Sequence, residues 1–378
     1  TGGSLFLETS AQRMDLFSEH KYSWQTSPIM IGYRQSLFGY NSLKWDKRIE
    51  PVRYQEAKKS YVETLELVSA NAINKFFALA TAQSNYDIAS FNYANADTLY
   101  RYAQGRYNIG TITENEMLQL ELNRLTEETN RMNARIEMDN CMQELRSYLG
   151  IQEEREIRVR VSSRIPDFSI NLNEALALAY ENSPDIQTMK RRKLESESAV
   201  ARARANAGLK ADIYLRFGLT QTADKLPEAY RNLLDQQYVS LSISLPILDW
   251  GRGKGQVRVA RSNRDLVYTQ VEQSRTDFEL NVRKLVKQFN LQTQRVRIAA
   301  RTDETAQRRN EVARKLYILG KSTILDLNAS ISEKDSARRN YVSALYNYWS
   351  LYYTLRSMTL YDFESNKLLT EDYNLLIE

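Results

Sequence analysis

The stretch YNIGTITENE, residues 107–116, interrupts a long helix-forming sequence, and a matching stretch, YILGKSTILD, occupies residues 317–326. The 60 residues before Gly105 contain one proline and no glycine. Gly105 and Gly110 then break the pattern, and helix-forming residues continue up to Gly150. Glycine favours the end of a helix, and threonine favours the start of the next one. Both stretches are therefore predicted to be tight turns at the tips of helical hairpins.

The two stretches belong to an internal duplication with an offset of 210 residues. The same offset aligns Tyr40 with Trp250, and Arg146 with Arg356, each of these arginines between a leucine and a serine. It holds without a gap over more than 100 residues, as packed rods of matched length require. At the tips it pairs Tyr107 with Tyr317, Gly110 with Gly320, Thr113 with Thr323, and Glu116 with Asp326.

Each half of the duplication is predicted to contain two long helices with a narrow apolar seam. No glycine or proline occurs from Gln256 to Leu319, and a helix of that span would be roughly 95 Å long. The remaining faces are polar, which is typical of helices packed edge to edge in a bundle or a helical wall. In the first half the seam alternates large and small residues every seven positions: Tyr86, Tyr93, Tyr100 and Tyr107 with Ala82, Ala89, Ala96 and Ala103.

Two segments of the second half, 211–220 and 238–247, alternate apolar and polar residues and are predicted to be strands. The offset relates them to 4–18 and 22–38, where the alternation is weaker. Each strand has the length and the single apolar face of a membrane-crossing strand, although soluble hairpins covering a core are an alternative. Four strands cannot close a barrel, and open edges are not tolerated in lipid, so several protomers would have to share one barrel. The residues expected to face lipid are Ile213, Leu215, Phe217, Leu219, Val239, Leu241, Ile243 and Leu245.

The composition argues against several functional classes. Cys141 and His20 are the only residues of their kinds, so a disulfide, a zinc site or a Cys/His dyad is not expected. We find no catalytic pair, no metal-binding spacing and no cofactor motif beyond three glycines that are better explained as a strand-to-helix turn, and we expect no enzyme. The charge of +5 is spread among interspersed acidic residues, so no nucleic-acid partner is predicted. No apolar run is long enough for a membrane helix.

Two further stretches, EALALAYENSPDI (174–186) and SLPILDWGRGKGQVRVA (244–260), complete a pattern that resembles the TolC-type outer-membrane efflux proteins. The resemblance implies an α+β membrane protein and a homotrimer, in which twelve strands close one barrel in outer-membrane lipid. Long helical hairpins would continue that barrel as a periplasmic tunnel. It implies an exit duct for drugs, small molecules or polypeptides that works with a periplasmic adaptor and an inner-membrane RND or ABC transporter. The competing prediction is a soluble coiled-coil scaffold.

The resemblance also assigns a role to each segment and to the eight tip residues, which would close the tunnel and meet the adaptor. A helix and a signal peptide would precede Thr1. Ala329 and Ser322 depart from the gate residues of the best-known family member, with Lys321 adjacent. Glu116 and Asp326 of three protomers would place six carboxylates in one ring. The alternative is that each carboxylate only stabilises the start of its own helix. The segments are a first β-hairpin (1–38), a first helical hairpin (39–149, tip 105–116), an equatorial connection (150–171), a helix (172–210), a second β-hairpin (211–248), a second helical hairpin (249–359, tip 317–326) and an equatorial C-terminal segment (360–378).

Overall fold

The computed structural model describes residues 2–153, 155–319 and 321–369. Two compact units form, the first from residues up to 57 together with 184–277, and the second from 58–183 together with residues from 278 onward. The helices are α1 (Ser42–Asn108), α2 (Glu114–Tyr148), α3 (Leu172–Asn182), α4 (Pro184–Ala207), α5 (Arg252–Ile318) and α6 (Ile324–Thr359). The strands are β1 (Ser4–Leu16), β2 (Lys21–Ser36), β3 (Lys210–Ala223), β4 (Leu234–Ser244) and the short pair β5 (Tyr361–Asp362) and β6 (Lys367–Leu368).

The helices reproduce the duplication seen in the sequence. Helices α1 and α5 both contain 67 residues, and α2 and α6 contain 35 and 36. The starts of α1 and α5, the ends of both, and the starts of α2 and α6 are each separated by the same 210-residue offset. The predicted duplication of two long helical hairpins is confirmed.

The first unit contains one antiparallel sheet with the strand order β1-β2-β3-β4. The central pair, β2 and β3, joins the two halves of the duplication and aligns Ile31 with Phe217. Strand β2 contains a bulge near Pro28, where its register with both neighbours shifts, since proline cannot donate a ladder hydrogen bond. Strand β4 begins before the predicted 238 and ends at Ser244, two residues before Pro246.

Residues 172–210, for which one helix was expected, contain both α3 and α4. Ser183 has an extended backbone, as expected for a residue that precedes proline, and Pro184 begins α4. In the first unit α4 is tied to α1 by Arg191, whose guanidinium contacts Glu56 at 2.6 Å. The hydrogen bond from Arg191 lowers the pKa of the Glu56 carboxyl below its usual range.

The core of the second unit is aromatic where α5 and α6 meet the segment before α3. Phe289 and Tyr348 are fully buried with ring centroids 5.1 Å apart, and Phe168 lies 5.4 Å from Phe289. Near the end of α6 the Arg356 guanidinium forms an ion pair with Glu66 of α1 at 2.9 Å, and both side chains are largely buried. These contacts hold the three long helices α1, α5 and α6 together within this unit.

The described residues of the connection between α2 and α3 form neither helix nor strand, and side-chain amides hold this connection against the helices. The Gln83 amide donates to the carbonyl of Ile157 at 3.1 Å and accepts from the amide of Val159 at 3.2 Å. The Asn290 amide does the same for both backbone groups of Ile170, at 2.9 Å each. A side-chain amide imitates a neighbouring strand, so this segment is fixed along the helices without joining a sheet.

Among the described helices, none has a stretch that is both long and apolar enough to span a bilayer.

Candidate functional site

The first tip is a Schellman turn followed by a capping box. The Gly110 amide donates to the Tyr107 carbonyl at 2.8 Å, and the Thr111 amide donates to the Arg106 carbonyl at 2.9 Å. Gly110 has a φ of +72°, a conformation that glycine adopts without steric cost. Thr113 then caps α2, because its hydroxyl accepts from the Glu116 amide at 3.2 Å while Glu116 accepts from the Thr113 amide at 2.9 Å. The tip is therefore fixed by its own hydrogen bonds.

The second tip has the same hydrogen bonds in the residues described. The Lys321 amide donates to the Leu316 carbonyl at 2.9 Å, five residues back as in the first tip. Thr323 caps α6 and forms a capping box with Asp326, whose carboxylate accepts from the Thr323 hydroxyl at 2.7 Å. Gly320 lies outside the described residues. In the described residues, α1 and α5 end before the two predicted turns, and α2 and α6 begin after them.

The two tip carboxylates have a local partner each. The hydrogen bond from the Thr323 hydroxyl, assisted by its amide and by Ser322, lowers the pKa of Asp326 below its ordinary value. Glu116 accepts from Thr113 in the matching arrangement. A capping box leaves a second carboxylate oxygen free, so this geometry fits the helix-start explanation and still leaves negative charge at the tip.

Tyr317 is the tip residue that meets the other hairpin. It lines a cavity of about 160 Å³ together with Leu99 and Tyr102 of α1 and Leu327 of α6. Burial raises the pKa of the Tyr317 hydroxyl, and the neighbouring charge of Glu116 raises it further while that of Arg106 lowers it. The Tyr317 hydroxyl of the second tip therefore lies in the electrostatic field of Arg106 and Glu116 of the first tip.

Tyr107, by contrast, is 39% exposed at the end of α1. Apolar side chains nearby are also exposed at both tips, which gives this end of the hairpins an uncovered apolar surface. They are Ile109, Leu118 and Leu122 at the first tip and Ile318, Leu319 and Leu325 at the second.

Above the first tip the tyrosine repeat of α1 packs against arginines of α2. The Arg131 guanidinium lies 4.2 Å from the centroid of the Tyr93 ring, and two further pairs repeat the contact, Arg124 with Tyr100 and Arg135 with Tyr86, at 5.5 Å each. The alanines of the same seam are buried, so one side of the seam consists of small residues and the other side of tyrosines covered by arginines. The tyrosine spacing is visible in the sequence, but the arginine partners lie 24 to 49 residues further along the chain and were not predicted.

The four-stranded sheet has one face of exposed apolar side chains. One row across the strands runs Leu5, Tyr33, Leu215, Val239, as the register of the three strand pairs shows. Leu5 is 76% and Val239 69% exposed. This face, called the outer face below, carries the predicted lipid-facing residues of β3 and β4: Ile213, Leu215, Phe217, Leu219, Val239, Leu241 and Ile243. Leu245 follows the end of β4 and is also exposed.

Aromatic residues stand at both ends of the outer face. Beyond the bulge, Tyr22 and Trp24 lie next to Arg13, whose guanidinium is 4.9 Å and 5.9 Å from their rings. At the opposite end, where the strands join the long helices, Trp250 is 97% exposed and Phe38 is also exposed. Tyrosine and tryptophan at the two borders of an apolar band are typical of membrane-spanning barrels.

Comparison with known proteins agrees with the membrane-barrel character of the outer face. Residues 175–359 match the family described as outer membrane efflux protein. The chain is 21% identical over 311 residues to the outer membrane protein TolC of Escherichia coli, which covers 79% of this chain and 61% of that protein. The chain therefore spans about three fifths of the length of this relative.

Solved structures of outer-membrane channels share the fold over nearly the whole chain. The CmeC channel of Campylobacter jejuni has a TM-score of 0.79 at 15% identity, with 99% of this chain and 80% of that chain covered. The MtrE channel of Neisseria gonorrhoeae in its open state has a TM-score of 0.75 at 13% identity, covering 98% and 81%. VceC of Vibrio cholerae also has a TM-score of 0.75, at 15% identity, covering 95% and 87%.

The predicted resemblance, the fold class and the outer-membrane location with a periplasmic tunnel are confirmed by these matches. The relatives are channels rather than enzymes.

Proposed function

We propose that this chain is one protomer of a homotrimeric exit duct, which conducts cargo passively across the outer membrane. The observation that carries the proposal is the outer face of the sheet. Its apolar run from Ile213 to Leu219 measures about 20 Å along the strand at ~3.3 Å per residue, close to the apolar band of a membrane barrel. A water-soluble protein would bury such a face, because a continuous exposed apolar patch promotes association.

The edges of the sheet support sharing of one barrel among protomers. Strand β1 pairs only with β2, and β4 only with β3, so among the described strands each has one unpaired edge. Unpaired backbone groups are costly in hydrocarbon, and a β4-to-β1 pairing between neighbours would satisfy them. Three protomers with four strands each would close the ring with twelve strands. The lipid-facing assignment of the seven residues of β3 and β4, and of Leu245, follows from this arrangement.

The helical hairpins would form the periplasmic wall of the duct, with both tips at its inner end. The tips are fixed by Schellman and capping-box hydrogen bonds, and they expose apolar side chains such as Ile109 and Leu325. A rigid turn with an exposed apolar surface suits a helical hairpin of a periplasmic adaptor. The partners proposed are such an adaptor and an inner-membrane RND or ABC transporter, and the cargo is drugs, small molecules or polypeptides. In this arrangement the described residues of 150–171 and 360–369 would form the equatorial belt, and residues 154 and 370–378 of the predicted belt lie outside the described residues.

Native mass spectrometry in detergent tests the assembly directly. The proposal expects three times the protomer mass, and expects the protein to precipitate or aggregate once detergent is removed. Leu215→Asp together with Val239→Asp puts two charges in the apolar row and should prevent insertion, since a charge near the bilayer midplane destabilises a barrel strand, by about 2–4 kcal/mol for arginine or lysine and by less for one aspartate. Ser240→Asp on the opposite face of β4 is the matched control and should insert normally.

A monomer that stays dispersed without detergent would contradict the exit duct and would favour the soluble coiled-coil scaffold. The same conclusion would follow if the doubly charged outer face inserted as well as the Ser240→Asp control.

A further inference from the structure

The face of the sheet opposite the outer face, called the inner face below, is lined by aromatic rings around one arginine. Arg216 shares a row with Phe6 and Tyr238, with Gly32 between Phe6 and Arg216. Tyr214 lies in the next row, stacked on Phe6 with ring centroids 5.9 Å apart and edge-on to Tyr238 at 6.0 Å. Three aromatic residues therefore share this face of the sheet with Arg216, in its own row and in the next one.

Two glycines shape this face by letting long side chains lie flat across the strands. A Cβ placed on Gly32 would lie 2.1 Å from the Phe6 ring, so the ring occupies the space above the glycine. A Cβ on Gly218 would lie 2.4 Å from the Met30 sulfur, and Met30 is fully buried. The aromatic surface is thus built on specific close contacts, which a residue with a side chain at either glycine would displace.

The charge at this surface has no internal partner. Within the described part of the chain, the Arg216 guanidinium makes neither an ion pair nor a hydrogen bond, and its Nε is buried without an acceptor. Arg34, which lies in the same row as Tyr214, adds a second positive charge. Glu8 of β1 lies in the row on the other side of Arg216 and is the single carboxylate in these three neighbouring rows. A partly buried guanidinium without an acceptor favours an anionic ligand, because such a ligand supplies the missing hydrogen bonds.

We propose that Arg216, with Tyr214, Tyr238 and Phe6, forms a binding and selectivity site on the wall of the channel for planar aromatic anions such as aryl sulfonates and aryl carboxylates. The inference rests on the proposed function, which turns the inner face of each sheet toward the lumen. The guanidinium binds the anionic group, and the tyrosine and phenylalanine rings stack on the planar ring of the solute. Three protomers place three such sites at one level of the barrel.

Planar-bilayer recording of the reconstituted full chain tests this site. The probes are 1-naphthalenesulfonate and cyclohexanesulfonate, which have the same charge but differ in aromaticity. The wild type should be blocked more strongly by the naphthalene compound. Arg216→Gln should weaken block by both anions and shift the reversal potential in a KCl gradient toward cation preference. Tyr238→Leu should weaken the naphthalene block about two- to fivefold, the loss expected for one aromatic contact, and leave the cyclohexane block unchanged.

Arg13→Gln is the matched control, because Arg13 lies on the outer face of the same sheet and is paired with Asp15 at 2.8 Å. Its block and reversal potential should equal those of the wild type. If Arg216→Gln does not assemble, Arg216→Lys keeps the charge and should retain the reversal potential while losing part of the naphthalene preference. Carboxylates at the tips act equally in all variants, so differences between variants report on the inner face.

The two proposals fail in different ways. No conducting pore from the wild type would overturn the exit duct itself. Normal pores in which Arg216 variants keep the wild-type block and reversal potential would overturn the aromatic-anion site and leave the exit duct standing.

Discussion

The two helical hairpins have the same lengths and the same turns, yet different residues hold them together. In the first, Tyr93 of α1 lies under the Arg131 guanidinium of α2, 4.2 Å from the ring centroid. In the second, the aligned residue of α5 is Asp303, which forms an ion pair with Arg338 of α6 at 3.1 Å. The length of a helical hairpin is thus set by its turns and caps, whereas the residues of its seam are free to diverge.

The aligned arginines show the same divergence at a single position. Arg356 lies in the last turn of α6 and forms a buried ion pair with Glu66. Asp362 lies 3.5 Å from the same guanidinium. Arg146 occupies the equivalent place in α2 and donates instead to the backbone carbonyl of Arg155. The offset predicts that these positions correspond, but the group that each arginine meets comes from another segment of the chain, Glu66 of α1 for Arg356 and the connection after α2 for Arg146.

The largest difference is expected between Arg356→Ala and Arg146→Ala. Removing Arg356 leaves the Glu66 carboxylate buried without its cation, which costs about 3–5 kcal/mol when one partner of a buried pair is lost. Removing Arg146 breaks a bond to a carbonyl, for which about 0.5–1.5 kcal/mol is typical, somewhat more because the donor is charged. Thermal melting of the helical circular dichroism signal in detergent measures both. Equal destabilisation by the two substitutions would show that the buried ion pair contributes no more to stability than the hydrogen bond of Arg146.

A second difference concerns two glycines five residues apart. Gly110→Val forces a β-branched residue into a left-handed conformation at about 1–2 kcal/mol, although a Cβ there would meet no other atom. Gly105→Val is the control, because Gly105 is helical, has no positive φ and is also open. We expect loss of export with normal trimer assembly for Gly110→Val only, measured by drug accumulation in cells. If Gly110→Val exports as well as Gly105→Val, the conformation of this turn has no role in export.

A third measurement isolates the cationic seam of the first hairpin. Arg131→Met keeps the length of the side chain and removes the charge over Tyr93, at an expected loss of about 0.5–1 kcal/mol. A double-mutant cycle with Tyr93→Leu, read from melting temperatures, gives the interaction between the two side chains. A coupling indistinguishable from zero would mean that the arginine contributes only through its aliphatic stem.

The smallest effect is expected for acidification of the second tip. The folded state lowers the pKa of Asp326, so the stabilisation by its capping box is fully present above the ordinary carboxyl value of 3.8. It is lost as pH falls through the lowered value, because the protonated group accepts hydrogen bonds less well. Amide hydrogen-exchange protection at the start of α6 should decrease in that range in the wild type. Asp326→Asn should be less protected at neutral pH and show no such decrease, so an identical acid response in both would contradict the assignment.

Several parts of the candidate site were predictable from sequence because they depend on local rules. Thr113 and Thr323 were expected to cap helices, and each does so with an acidic residue three positions later. The alternation of β3 predicted one apolar face, and the strand register shows that face. The end of β4 before Pro246 and the separate α3 and α4 around Pro184 also follow rules for proline, though neither was predicted.

Other parts could not be predicted, because they join residues far apart in the chain. Tyr317 lines its cavity with Tyr102 of the other hairpin, and Gln83 binds the backbone of Val159. Neither contact has a periodic signature. The inner face is a similar case, since Phe6 covers Gly32 and stacks on Tyr214, three residues from three strands of the sheet.

The duplication, the approximate positions of both tips and the apolar strands could be read from the sequence, because helix ends, turns and strand alternation are governed by neighbouring residues and by a fixed offset. Which charges find partners depends on the packing of the folded chain. Arg191 and Arg356 meet carboxylates on another helix, whereas Arg216 shares its face of the sheet with aromatic residues and has no such partner among the described residues. The free energy of a charge depends on the atoms within a few ångströms of it, and those atoms come from distant parts of the chain.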